Sequence, residues 1–594
     1  MELPTIKISG ALIKISFEYY LPYVHKMHTL PHARWDAGER VWTVPYNATT
    51  LDLVRAAFPH AKTHAETAAR LEQEEKSDLE IEELKYLPKV KNLEIKDFVF
   101  ATKPYWHQKV TFGFCRALDC SAIFLEQGLG KAKVTIDLAT WRFRQGQIRR
   151  CFVVCPATVA GQWIVEIKKH GHSDFNNYVL CEGSSKDKQK TLEELPTDFT
   201  GFIIINYDAL RPMYVFLSRA QSGVRKLFDM LVLDESSRIK HAQSQRSKLS
   251  WKLGLSVKYR NILTGTPVTQ SIEDIFSQFR FLDARIFGPY ATAFRSQFLI
   301  MGGFENREIR GYKNVDSLMR RIYSIAIRLT KRECLNLPKK IPEKREVVLD
   351  SAATAKYLEF EKKCVAEFSG KIVTAPMVMT KLMKLSQITG GFIYEQGPDG
   401  KKIGAINMPT QPKLADLATV LEENKGRKVI VCCVFIQEVK LIRDLLNKMK
   451  INFVSVAGDV KIKDRAAEIA AFQDAPKVRV LVGQMPTVSF GITLTAAHLM
   501  YFYSGTYAYE VRSQTEDRAH RAGLDHSVTY IDAIAVLENG RSTIDQDIMD
   551  VKDGKARLAN EVSTALLQKM FVRCGKKPDF KLSGKDEVFA TEEF

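Results

Sequence analysis

Two short strings hold residues that could do chemistry together. LEQGLGKAK (125–133) follows the apolar run AIFL and opens a helical stretch, KAKVTIDLAT. A strand, a glycine-bearing loop and a helix start can cradle phosphates. Gly128 and Gly130 let backbone N–H groups approach an anion, and the helix N-terminus adds a favourable dipole. Lys131 would then reach the β and γ phosphates of a nucleotide. The first glycine usual in such loops is absent and Ala132 follows the lysine, so a chance Gly-x-Gly-Lys turn is the alternative. About 100 residues on, FDMLVLDESSRIK ends an apolar strand in Asp234 and Glu235. A carboxylate there can hold Mg²⁺, and its neighbour can orient an attacking water. Strands often end in acids, so this pair takes its weight from following a phosphate loop at the right distance.

Such a loop and such a strand end need a sheet to hold them. Apolar runs recur at 122–125, 152–155, 202–205, 230–233 and 261–264, separated by helical stretches. Continuous apolar strands alternating with helices imply a parallel sheet covered on both faces. Between about 286 and 410 the text is longer, helical and basic, as in MTKLMKLSQITGGF. The strand pattern resumes at 429–435, 452–456, 478–482, 500–503 and 529–536. The fold class expected is therefore α/β, with two parallel-sheet lobes around a helical region. Before them, IKISGALIKISF alternates like a strand, RWDAGERVWTVPY reads as a hairpin and ATTLDLVRAAF as a helix, giving a small α+β module. The Glu-rich stretch ETAARLEQEEKSDLEIEELKYL reads as a solvated helical connector, and the last 20 residues as a loose tail.

The 594 residues suffice for about four domains, and 45% hydrophobic with 26% charged residues excludes wholesale disorder, collagen and simple coiled coil. No apolar run approaches the roughly 18 residues of a membrane span. MELPTIKISG lacks the pattern of a signal peptide, so a soluble, intracellular protein is expected: cytoplasmic in a bacterium or phage-infected cell, nuclear in a eukaryote. With 87 Lys and Arg against 69 Asp and Glu, the net charge of +18 points to a polyanionic partner, most often nucleic acid; a basic enzyme without one is the alternative. The ten cysteines form no C-x-x-C pair, and several sit in apolar runs, as reduced core residues do.

From about residue 100 to 555 the chain resembles the Swi/Snf-type ATPases of helicase superfamily 2, with the family's motifs in the family's order. PYWHQ supplies Gln108, which the resemblance assigns to adenine. LEQGLGKAK is the phosphate loop; VVCPATVAGQW, INYDAL, DESS in place of Asp-Glu-Ala-His, and LTGTP (263–267) follow. FGITLTAA (490–497) and QTEDRAHRAG (514–523) complete the set, and RLTK (328–331) looks like the family's Arg-Arg-Thr-Lys segment in the helical insertion. The resemblance implies that Gln514, Arg518 and Arg521 face the nucleotide across a cleft, where such arginines neutralise charge on the transferring phosphoryl group. A salt-bridged surface helix is the plain alternative. Residues 7–60 resemble the HARP domain of annealing helicases, best in RWDAGERVWTVP. There Arg34, Trp35, Arg40 and Trp42 would suit DNA, since bases stack on aromatics and phosphates seek cations; equally, Trp35 and Trp42 could pack a small core.

The resemblance implies two RecA-like lobes closing on ATP and Mg²⁺, with Lys131 on the phosphates, Asp234 on the metal and Glu235 on water. It implies a double-stranded DNA translocase that remodels or reanneals branched DNA, with DNA repair or replication proteins as further partners. The expected domains are a HARP-like module (1–60), an acidic connector (61–100), a first ATPase lobe (101–285), a helical Swi/Snf-type insertion (286–410), a second lobe (411–570) and a flexible tail (571–594). A strand-separating DNA or RNA helicase, or a DNA-binding scaffold with a weakened ATPase, are the alternatives. Two departures bear on the last. Ala132 stands where the family has a Mg²⁺-binding hydroxyl, and Ser236-Ser237 replaces Ala-His.

Overall fold

The computed structural model describes all residues except 1–2, 10–11, 31–32, 47, 69–92, 224–225, 269–270, 303–307, 370, 374, 397–401, 461, 490–491, 522, 551–567, 579 and 583–594. Most of the expected acidic connector therefore lies outside the described residues, as does most of the expected tail. The chain divides into two compact units, Met1–Cys334 and Leu335–Phe594.

The first unit begins with a small mixed sheet. Strands β1 (Thr5–Ser9), β2 (Leu12–Ser16), β3 (Arg34–Asp36), β4 (Val41–Pro45) and β5 (Lys62–Thr63) lie in the order β3-β4-β2-β1-β5. IKISGALIKISF is thus two antiparallel strands, Ile6 opposite Ile15 and Ile8 opposite Ile13. Its period of two puts Ile6, Ile8, Ile13 and Ile15 on one face, where they form a core with Met27 of the helix Leu21–Thr29, Leu51 and Val54 of the helix Ala48–Ala57, and Phe58 just after it.

Beyond residue 100 a seven-stranded parallel sheet carries the first unit. Its strands are β6 (Cys120–Leu125), β7 (Arg150–Cys155), β8 (Tyr178–Leu180), β9 (Gly201–Asn206), β10 (Met230–Asp234) and β11 (Tyr259–Leu263), then, after a separate hairpin of β12 (Leu299–Gly302) and β13 (Glu308–Tyr312), β14 (Ala326–Leu329). The order is β14-β6-β11-β10-β7-β9-β8, every neighbour parallel. β6, β7 and β10 are buried along almost their whole length, which is why they read as unbroken apolar runs.

The second unit has its own six-stranded parallel sheet. Its strand β15 (Lys340–Val348) comes first; β16 (Lys371–Val373) and the hairpin β17 (Phe392–Gln396) with β18 (Lys402–Asn407) lie apart from it. Then follow β19 (Val429–Cys433), β20 (Phe453–Val456), β21 (Val480–Gln484), β22 (Leu499–Phe502) and β23 (Val528–Val536), in the order β15-β23-β22-β19-β21-β20. The α/β class with two parallel sheets is as expected. The region 286–410 is helical at Ser351–Phe368 and Ala375–Thr389, but it also contributes an edge strand to each sheet, β14 and β15. Four residues of AIRL do not stand out in basic, helical text, and β15 is largely exposed, so neither has the unbroken apolar signature. The tail departs from the sequence expectation in its first part. Arg573 is ion-paired with Glu361 and Asp547, and β24 (Phe580–Leu582) pairs with β16.

Candidate active site

The C-terminal ends of β6, β10 and β11 gather three motifs on one edge of the first sheet, where open parallel sheets bind ligands. β6 runs directly into the phosphate loop. Gly128 and Gly130 both adopt φ of +84°, a left-handed backbone that strains other residues, and Gly130 caps the helix Lys131–Arg144. A Cβ at Gly130 would also collide with the Gln108 amide. Gln108 is buried, donates from Nε2 to the Leu129 carbonyl (3.1 Å) and accepts at Oε1 from the Tyr105 N–H (3.0 Å). It braces the loop as well as standing where an adenine contact is expected. Lys131 Nζ donates to the Leu125 carbonyl at the end of β6 (3.0 Å).

Asp234 ends β10, two strands from β6. Its Oδ1 accepts from the Glu235 N–H (2.9 Å), and its Oδ2 accepts from the indole N–H of Trp163 (2.9 Å). Its carbonyl accepts from the Tyr207 hydroxyl (2.8 Å). Burial, then the adjacent Glu235 carboxylate, pushes Asp234 up to about 6, against the pull of the Trp163 N–H and the Lys131 ammonium. Glu235 has φ of +49°, a costly conformation for a non-glycine residue, and its Oε2 is buried with no hydrogen-bond partner among the described residues. Two adjoining carboxylates, one with an unsatisfied buried oxygen, fit a divalent cation and the water beside it.

LTGTP follows β11 and meets the phosphate loop: a Cβ on Gly265 would lie 3.4 Å from the Gln127 backbone nitrogen and 3.5 Å from the Leu125 carbonyl. It is also tied to DESS. The Ser236 hydroxyl donates to Gln278 Oε1 (2.7 Å), and Gln278 Nε2 donates to the Pro267 carbonyl (2.8 Å). Both side chains are fully buried. The serine in place of alanine therefore makes a bond that alanine cannot. Ala132 has no such substitute, because the nearby Thr135 hydroxyl donates to the Lys131 carbonyl (2.9 Å). RLTK also joins this edge: β14 pairs with β6, and the Lys331 N–H donates to Glu126 Oε2 (2.8 Å).

In the second unit, Gln514 and Arg518 are buried on the helix Tyr509–Ala519, and Arg521 lies just beyond it. The Arg518 Nε donates to the Gln514 carbonyl (3.0 Å), and Arg521 donates to the Ile492 carbonyl (2.9 Å) and the Thr493 hydroxyl (2.7 Å). The helix is anchored by Arg512, whose guanidinium spans Glu516 (2.9 Å) and Asp532 of β23 (2.5 Å). In the N-terminal module, Arg34, Trp35 and Arg40 are exposed on the β3–β4 hairpin, Trp35 by 51%, with its ring edge-on to the half-buried Trp42 at 5.7 Å. Trp163 and Tyr207 lie within the motif segments VVCPATVAGQW and INYDAL, where nothing local marks their task, and Gln278 lies outside every motif.

Residues 107–390 match the family model for the SNF2-related domain, and residues 412–523 match the helicase conserved C-terminal domain. The chain is 24% identical over 483 residues to the DNA annealing helicase and endonuclease ZRANB3 of Bos taurus, covering 80% of this chain and 42% of that protein. It is 23% identical to the SWI/SNF-related matrix-associated actin-dependent regulator of chromatin subfamily A-like protein 1 homolog of Caenorhabditis elegans, covering 88% of this chain and 72% of that one. The Sulfolobus solfataricus SWI2/SNF2 ATPase core in complex with dsDNA is 21% identical, with a TM-score of 0.38 over 80% of this chain and 97% of that chain. The chain spans about two fifths of the length of the first curated relatives it matches. With both models matched in this order along two α/β units, the chain belongs to the Swi/Snf-type ATPases of helicase superfamily 2.

Proposed function

We propose that this protein is an ATP-driven translocase on double-stranded DNA that remodels or reanneals branched DNA. The observation that carries the ATPase half is the gathering of Lys131, Asp234, Glu235 and LTGTP on one sheet edge. The DNA half is supported by the net charge of +18 and by relatives named as annealing helicases.

Lys131 exchanges its bond to the Leu125 carbonyl for phosphate oxygens, and the N–H groups of the Gly128–Gly130 loop face the same anion. Asp234, fixed by the Trp163 indole N–H and the Glu235 N–H, would hold Mg²⁺. That ion would supply charge neutralisation to the nucleotide's phosphates. Glu235, held in its left-handed turn, aligns the attacking water. Gln514, Arg518 and Arg521 are the second unit's candidates for nucleotide chemistry, the two arginines for offsetting the charge that develops on a transferring phosphoryl group. Ser236, Gln278 and Pro267 link this chemistry to LTGTP. The exposed hairpin residues Arg34, Trp35 and Arg40 contact DNA phosphates and bases at junctions.

The test is ATP hydrolysis with duplex, forked and single-stranded DNA and with RNA, paired with annealing and unwinding assays on forks. Strong stimulation by duplex or forked DNA, annealing without unwinding, and affinity falling with log salt at about −0.9 per phosphate contacted support the proposal. Stimulation by RNA, strand separation or salt-independent binding overturns it. Deleting residues 1–60 should spare basal hydrolysis and weaken junction activity; unchanged junction activity removes the hairpin from its role. One observation favours a DNA-binding scaffold with weakened hydrolysis: neither Ala132 nor the committed Thr135 offers a hydroxyl to the metal.

A further inference from the structure

Asp234 is held by a tryptophan, the indole N–H of Trp163 donating to its Oδ2. Trp163 is 1% exposed, and its helix, Ala160–His170, follows β7, the neighbour of β10 in the sheet. The backbone therefore delivers the indole beside the end of β10. The indole N–H is a donor with no acceptor capacity, so it can satisfy a carboxylate oxygen but can neither take its proton nor ligate a cation. At 2.9 Å it fixes Oδ2, while the Glu235 N–H at 2.9 Å fixes Oδ1. Each oxygen keeps a lone pair for a cation, and the plane of the carboxylate is set by two donors on different elements. A flexible donor such as lysine would hold the same charge without holding that plane. It would also add a positive charge where a divalent cation must sit.

We infer that Trp163 is a positioning residue for the metal: by holding Oδ2 of Asp234 it sets the orientation in which that carboxylate meets Mg²⁺. The inference rests on the proposal that Asp234 holds the metal. Groups that orient metal ligands in this way typically change metal affinity about 10–100-fold when removed.

The experiment uses the full chain with ADP and Mn²⁺ as a spectroscopic substitute for Mg²⁺, read by electron paramagnetic resonance. In Trp163→Phe, Mn²⁺ affinity should fall about 10–100-fold, while ADP affinity measured with a chelator stays within about twofold of wild type, because the phosphate loop is untouched. Equal loss of both would make Trp163 a packing residue and overturn the inference. So would wild-type Mn²⁺ affinity in Trp163→Phe. Asp234→Asn separates the two levels: if it leaves Mn²⁺ binding unchanged, the metal assignment itself falls. Should Trp163→Phe not fold, wild type labelled with 5-fluorotryptophan decides. Substoichiometric Mn·ADP should selectively broaden one of the six tryptophan resonances, and Asp234→Asn should abolish that effect. No selective broadening overturns the inference.

Discussion

Replacing Ala132 by threonine tests the account of the nucleotide site most directly. Ala132 is the second residue of the helix that opens at Lys131. A hydroxyl there would face the phosphate side of the first turn. The next hydroxyl along the helix, Thr135, is fully buried and bonded to the Lys131 carbonyl at 2.9 Å, so it cannot stand in. Water would then complete the shell of a bound Mg²⁺, which that ion tolerates. A contact from a protein hydroxyl to a charged group contributes about 1.5–3 kcal/mol, and replacing alanine by threonine in a helix costs about 0.5 kcal/mol. The net gain of about 1–2.5 kcal/mol corresponds to roughly 5- to 70-fold in affinity. The assay is DNA-stimulated hydrolysis as a function of Mg·ATP. The concentration for half-maximal rate should fall by that factor, while chelator-treated ATP binding stays unchanged. An unchanged half-maximal concentration would show that some other group already serves the metal. Hydrolysis in the variant but not in wild type would favour the weakened-ATPase scaffold.

Lys131→Ala, Glu235→Gln and Arg521→Ala should each cut hydrolysis severely with the fold intact. The Glu235→Gln loss should be about 10²–10⁴-fold in kcat, and wild-type turnover there would remove Glu235 from water activation. Ser236→Ala restores the family's residue yet leaves the buried Gln278 Oε1 without its donor, so it should destabilise the first unit by about 1–3 kcal/mol in urea titrations. A neutral result would show that the bond to Gln278 contributes nothing. Asp234 must be ionised to hold a cation, and burial has raised it to about 6. Metal-dependent hydrolysis should therefore fall as pH drops through about 6 when Mg²⁺ is limiting. Saturating Mg²⁺ should move the fall to lower pH, since the bound cation favours the carboxylate. A pH midpoint that ignores Mg²⁺ concentration would show that another group controls it.

Elements whose signals are local were legible from the residues alone. β6, β7, β10, β19 and β22 read as apolar runs because both of their faces are covered. Gly128 and Gly130 announced a loop because left-handed backbone favours glycine. Lys131, Asp234 and Glu235 were legible because their tasks follow from position at strand and helix ends. What holds them in place depends on contacts that form when the chain folds. β14 is four residues long and broken by the exposed Arg328, and β15 is exposed along most of its length, so neither announces itself; they became strands because a sheet edge beside β6 or β23 offered them backbone partners. Trp163 stands 71 residues from Asp234 along the chain and Gln278 stands 42 from Ser236. A hydrogen bond leaves no periodic trace in sequence when its partners come from different elements. The order of strands brings the two groups together, and that order is set by how β10 packs between β7 and β11.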